Sequence, residues 1–116
     1  MDATCVTSFL SSYWLLSFQV FYFSNNLLNE LPALLFDGFH RLRIVDLSNN
    51  KLDVVPENLF NDGPLERLDL SNNNLTIIPL DSFNENSGKT LSELNLYSNK
   101  IKNLPKPEAF AKFKVS

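Results

Sequence analysis

The sequence predicts an α/β repeat, a solenoid of about four stacked coils with a short parallel sheet on its concave face. Three observations predict it. One spacing frame occurs four times, starting at Phe18, Leu42, Leu65 and Leu91, so that the periods are 24, 23 and 26 residues. Each copy carries an asparagine at the same offset, with a proline 6 residues later. In the first three copies a phenylalanine follows that proline at one fixed distance, as Phe36, Phe60 and Phe83. Four copies of so long a pattern do not arise by chance.

The second copy reads Leu42-x-x-Val45-x-Leu47-x-x-Asn50-x-Leu52-x-x-Val55-Pro56-x-x-x-Phe60. The third runs from Leu65 through Leu68, Leu70, Asn73, Leu75 and Ile78-Pro79 to Phe83. The fourth has Leu91, Leu94, Leu96, Asn99, Ile101 and Leu104-Pro105. An aromatic version comes first, with Phe18, Phe21, Phe23, Asn26, Leu28 and Leu31-Pro32 before Phe36. This frame is that of the leucine-rich repeat. The coils bury their apolar faces only when stacked, since no single unit can do so alone.

Each unit opens with a strand whose successive side chains face opposite ways. Leu68 and Leu70 therefore point inward, while Arg67, Asp69 and Ser71 point out. At the following turn, backbone amides and carbonyls are stranded inside the coil. A carboxamide offers both donor and acceptor groups, so Asn26, Asn50, Asn73 and Asn99 suit that corner. An asparagine column could be a ladder for a ligand or an internal spine, and the need to pair the turn favours the spine. Pro32, Pro56, Pro79 and Pro105 fix φ after the turn, where no ladder donor is needed. The phenylalanines fill the convex side.

The chain has 116 residues, enough for one domain, and 44% of them are apolar. That composition marks a globular chain. A net charge of −3 gives no general attraction to nucleic acid. Residues 1–40 hold no Lys or Arg, whereas Lys89, Lys100, Lys102, Lys106, Lys112 and Lys114 crowd the end; a solvated face explains them better than an anion site. Cys5 alone permits no intrachain disulfide and no thiolate-only metal site.

Residues 1–17 read as a hydrophobic leader or an irregular entry segment, and residues 18–116 as the repeat domain. The stretch Val6 to Phe23 carries no charge. It could be a secretory signal, although Asp2 stands where a positive region belongs and no clear cleavage site follows. It is also just long enough to span a bilayer, but its serines, Thr7 and Gln19 argue against that. From Phe18 onward the repeat register favours an entrance to the solenoid. Membrane association is expected only through this segment or a parent protein. Asp37-Gly38 and Asp62-Gly63-Pro64 are turn signals. Residues 84–89 read as a polar surface loop that lengthens the third unit. Neither end carries a polar cap, which predicts a fragment or an unusual product of a longer repeat protein.

The Leu-Pro-x-x-x-Phe continuation and the period resemble extracellular leucine-rich repeats of animal surface proteins. Three stretches are similar to those of the chaoptin type, photoreceptor cell-adhesion proteins of arthropods: LRIVDLSNNKL, LERLDLSNNNLTIIPLDSF, and TLSELNLYSNKI with the later AFAKFK. The resemblance covers about Phe36 to Lys114. It implies homophilic adhesion at a cell surface, glycosylation, and a lipid anchor at the far C-terminus of the whole protein. A cytoplasmic scaffold built on the same solenoid is the alternative.

Outward strand positions form three columns: Val20, Ile44, Arg67 and Glu93; Tyr22, Asp46, Asp69 and Asn95; Ser24, Ser48, Ser71 and Tyr97. The candidate contact residues for a protein partner, a second copy of the same protein included, are Tyr22, Asp46, Arg67, Asp69, Glu93, Asn95 and Tyr97. Four strands of five residues present roughly 240 Å², against about 800 Å² per partner in a standard interface. Such a face works within a longer array or through many weak copies. Asn74-Leu75-Thr76 is a glycosylation sequon at an outward turn position. No cofactor is expected, and no enzyme. His40 is the single histidine, three scattered glycines build no phosphate loop, and no cluster has metal-ligand spacing.

Overall fold

The computed structural model describes residues 19–61 and 63–113. The leader with Cys5, Tyr13 and Trp14, the first repeat residue Phe18, the turn residue Asp62, and Lys114 lie outside the described residues. Four strands, β1 (Val20–Tyr22), β2 (Ile44–Asp46), β3 (Arg67–Asp69) and β4 (Glu93–Asn95), form one parallel sheet in chain order. Their register is in phase throughout. Phe21, Val45, Leu68 and Leu94 align along the inner face, Val20, Ile44, Arg67 and Glu93 along the outer. Parallel neighbours require a return path outside the sheet, and the remainder of each coil supplies it.

The strands are three residues long, not the five expected. Their ends are set by a side chain. Asp46 Oδ1 accepts from the Ser48 amide at 2.9 Å and from its hydroxyl at 2.6 Å. Asp69 holds Ser71 with the same distances, and Asn95 Oδ1 accepts the Tyr97 amide at 3.0 Å. Such a side-chain turn offers the backbone an alternative to extended geometry. Ser48 and Ser71 are thereby drawn inward, to 6% and 7% exposure. The third outward column does not exist as expected, because two of its four members are closed off.

Immediately after that turn, Asn25, Asn49, Asn72 and Ser98 take left-handed φ values of 58°, 55°, 56° and 58°. Asparagine tolerates this region better than most residues, which explains the doubled Asn-Asn of the first three coils. The second asparagine of each pair faces the coil interior. Asn73 Nδ2 donates to the carbonyls of Leu47 and Leu70 at 3.0 Å each, and its Oδ1 accepts the Leu52 amide at 3.0 Å. Asn50 bonds Phe23, Leu47 and Leu28 in the same manner. Asn99 joins Leu70, Leu96 and Leu75. Among the described residues, Asn26 bonds within its own coil, to Phe23 and Ser24. Each carboxamide from Asn50 on thus stitches its turn to the coil before it.

The convex side is filled by rings. Phe60 stacks on Phe36 at 5.6 Å and on Phe83 at 5.3 Å between centroids. The fourth coil has Ala109 where the frame would put a phenylalanine, and Phe113 takes over, meeting Phe83 edge-on at 5.5 Å. Leu104, a core position by the frame, is 82% exposed. No described coil covers it.

Residues 84–89 are not a loop. Residues 85–90 form helix α1 (Glu85–Thr90), opened by a reciprocal cap between Asn84 and Ser87. Ser87 and Gly88 are buried, and Thr90 Oγ1 reaches the Leu65 carbonyl at 2.8 Å. Lys112 packs across this helix. A Cβ on Gly88 would lie 2.7 Å from the Lys112 carbonyl oxygen. Lys112 does not belong to a solvated face either: its ammonium donates to the carbonyls of Leu80 and Phe83 at 2.7 and 3.0 Å. Those carbonyls lie at and just after the 3₁₀ turn Leu80–Ser82, where the Leu80 carbonyl also accepts the Phe83 amide at 3.4 Å.

Candidate functional site

The outer face of the sheet is the surface on which the sequence places most of its candidate residues. Tyr22, Ile44, Asp46, Arg67, Asp69, Glu93 and Asn95 line one shallow concavity of about 80 Å³. Tyr22 sits at the β1 edge, 69% exposed. Tyr97 lies two residues beyond β4, 76% exposed, and is not among the lining residues. The row between them alternates in character. Arg67 Nε and Glu93 Oε2 form an open ion pair at 2.9 Å. Asp46 and Asp69 stand side by side in register, each half-buried with one oxygen held by its serine.

These bonds change what the two aspartates can offer. One oxygen of each is fixed by an amide and a hydroxyl, and the other remains for a ligand, in a defined orientation. Asn95 is committed in the same way through Tyr97. Asp-Leu-Ser in the second and third units and Asn-Leu-Tyr in the fourth carried the signal, an Asx residue two positions before an amide it can bond. Outward strand geometry alone does not disclose that.

A second row was missed. Arg43 pairs with Glu66 at 2.9 Å and donates to Gln19 Oε1 at 3.2 Å, so that Gln19, Arg43 and Glu66 run across β1 to β3 one residue before the strands. The hydrogen bond and the charge of Glu66 raise the Arg43 pKa above its ordinary value. Opposite charges at the same offset of adjacent units are the signal for such a row.

The asparagine spine lies behind this surface. Asn50 and Asn73 are buried and engaged on both sides of their carboxamides, as an internal spine. Asn74 is half-buried, and its amide bonds the Leu52 carbonyl at 2.7 Å. Thr76 of the same sequon is exposed. His40 is an exposed turn residue whose amide bonds the Gly38 carbonyl at 3.0 Å. Among the described residues, no group of His, Cys, Asp and Glu is arranged to hold a metal ion.

A family model described as leucine rich repeat matches residues 40–101, from the turn before β2 to the residue after the Asn99 corner. The chain belongs to the leucine-rich repeat family. No curated protein matches it as a relative. Leucine-rich repeat domains are in general non-enzymatic protein-interaction modules. The family match spans three of the four spine asparagines and three of the four strands, which is the portion carrying Asp46, Arg67, Asp69, Glu93, Asn95 and Tyr97.

Proposed function

We propose that this leucine-rich repeat domain is a protein-binding module of a cell-surface adhesion or receptor ectodomain, and that its concave face makes the contact. The observation that carries the reading is the exposure of Tyr22 and Tyr97 around a polar row with Arg67 at its centre. Exposed tyrosines bring large apolar area and a polar tip at low entropic cost, and with arginine they dominate binding hot spots. With strands of three residues the sheet face shrinks to roughly 140 Å², well below the ~800 Å² of a standard partner surface. Contacts of this size act through multiplicity, as they would between arrays on apposed membranes. A second copy of the same protein is the partner that the chaoptin-like stretches support.

The sequon at Asn74 supports a secreted setting, because Thr76 is open to solvent and the site sits on a turn. Among the described residues no helix is long and apolar enough to cross a membrane, which leaves anchoring to a parent protein or to the hydrophobic leader.

The test is the fate of the full chain in a secretory-competent animal cell, with and without glycosidase. A glycosidase-sensitive shift that disappears in Asn74→Gln supports the ectodomain. A soluble cytosolic product without the shift favours the intracellular scaffold. On the concave face, Tyr97→Ala with Arg67→Ala should abolish aggregation of cells that display the chain; unchanged aggregation removes the face from the contact.

A further inference from the structure

We propose that the convex side carries a second binding site, a pocket between the first and second coils that takes a lysine side chain of a protein partner. It is separate from the concave face and is bounded by two described coils. A cavity of about 230 Å³ opens there, lined by Ala33, Leu34 and Asp37 of the first coil and Asn58, Leu59 and Asn61 of the second. Asn61 Oδ1 is buried and has no hydrogen-bond partner among the described residues. A buried acceptor of that kind calls for a donor supplied from elsewhere.

The sequence explains why this junction gapes while the next one is shut. Between the second and third coils, Ser82 Oγ donates to the Pro56 carbonyl at 2.8 Å. The Asn58 and Phe60 amides donate to the carbonyls of Asp81 and Ser82 at 2.9 and 3.0 Å, and Asn84 Nδ2 reaches the Asn61 carbonyl at 3.4 Å. In the repeat frame Leu59 stands where Ser82 does, and Asn61 where Asn84 does. Leucine has no hydroxyl to offer the Pro32 carbonyl. Among the described residues no hydrogen bond joins 32–37 to 56–61.

The chemistry of the lining selects the occupant. Asp37, Asn58 and Asn61 each carry a side-chain oxygen, and a lysine ammonium has three donors and no acceptor. Leu34, 75% exposed, joins Ala33 and Leu59 in an apolar wall for the lysine stem. Among the described residues no ion pair engages the Asp37 carboxylate, and residues 1–40 contain no Lys or Arg. Calcium takes about six to eight oxygen ligands, more than these three side chains provide. The third coil shows a lysine already seated on this side. Lys112 Nζ donates to the carbonyls of Leu80 and Phe83, the frame counterparts of Ala33 and Phe36. At the first junction a partner supplies the ammonium.

Titration of the isotope-labelled full chain with Nα-acetyl-lysine amide, followed by NMR, tests this without reference to the concave face. Saturable shifts are expected at the backbone amides of residues 33–37 and 58–61 and at the Asn61 carboxamide. Asp37→Asn keeps the turn, since Asn-Gly suits it as well, and should weaken binding by roughly three- to tenfold. Leu34→Ser, at an exposed position, should weaken it through the stem. The Nε-acetylated compound, which lacks the charge, should not bind. No saturable shift, equal binding of the acetylated compound or of Nα-acetyl-arginine amide, or indifference to Asp37→Asn would each overturn the proposal. So would displacement of the lysine compound by calcium chloride, or shifts at Asp46 and Asp69 in place of these.

Discussion

The carboxamide of Asn73 donates to the carbonyl of Leu47, 26 positions earlier in the chain, at 3.0 Å. This bond ties the turn of one coil to the strand end of the previous coil. With the bonds to Leu70 and Leu52 it satisfies polar groups on both sides of a buried corner. Asn73→Leu would fill the space and leave those groups without partners. We expect a loss of roughly 3 kcal/mol or more, since each buried group left unpaired costs about 1–3 kcal/mol. Urea unfolding measures it. Asn26→Leu, at a corner that is half-buried and bonds within its own coil among the described residues, should cost clearly less.

Phe60 lies between two rings, and its loss would open the convex core in the middle of the stack. Phe60→Ala should cost about 3–5 kcal/mol, and Phe60→Leu much less, because a smaller cavity remains. A thermal melt that leaves Phe60→Ala within a few degrees of the parent protein would show that the ring stack is not what holds the coils together.

Gly63 is required by a close approach. A Cβ there would lie 2.8 Å from the Phe39 carbonyl oxygen and 2.9 Å from that of Leu42. Backbone atoms cannot rotate out of the way as a side chain can. Gly63→Ala should therefore destabilise by about 1–3 kcal/mol, as overpacking does. Gly38→Ala tests the other glycine mechanism, since its φ of 86° lies in the left-handed region. There the loss should come from the strain of that backbone conformation.

Ser98 is the one coil corner where the left-handed residue is not asparagine. Ser98→Asn should raise stability by roughly 0.5–1 kcal/mol, because asparagine visits this conformation at lower cost. The urea midpoint should move up with an unchanged slope. A midpoint that falls would mean that the fourth corner depends on the serine hydroxyl.

The exposed pair of Arg67 and Glu93 gives a contrast. Arg67→Ala should change stability by less than about 1 kcal/mol, as open ion pairs do. The same substitution should weaken partner binding on the concave face, measured by titration against the captured partner. Equal losses in folding and binding would recast Arg67 as structural.

How much was legible varies by residue and for one reason. Leu47, Leu70 and Leu75 are buried because alternation and period are local properties of the chain. The Asn50 and Asn73 corners were legible through their chemistry, since few side chains can both donate and accept inside a turn. Ser48 and Ser71 were placed outward by the same alternation, and there it failed. An aspartate two residues earlier captures each serine and turns it in. The interior of the fourth coil shows another limit. Phe113 replaces the missing ring from outside the frame, and no period announces it.

The sequence by itself determined the coil count, the strand register, the inner leucines and the corner asparagines, because each follows from spacing within a unit. The tertiary structure decided that residues 85–90 form a helix, that Lys112 caps the Leu80 and Phe83 carbonyls, and that Leu104 stays in the open. The contacts of Thr90 and Lys112 reach groups 25 to 32 residues away in the chain, brought alongside only when the coils stack. A repeat fixes which way a side chain faces; what it then meets is settled by the neighbouring coil.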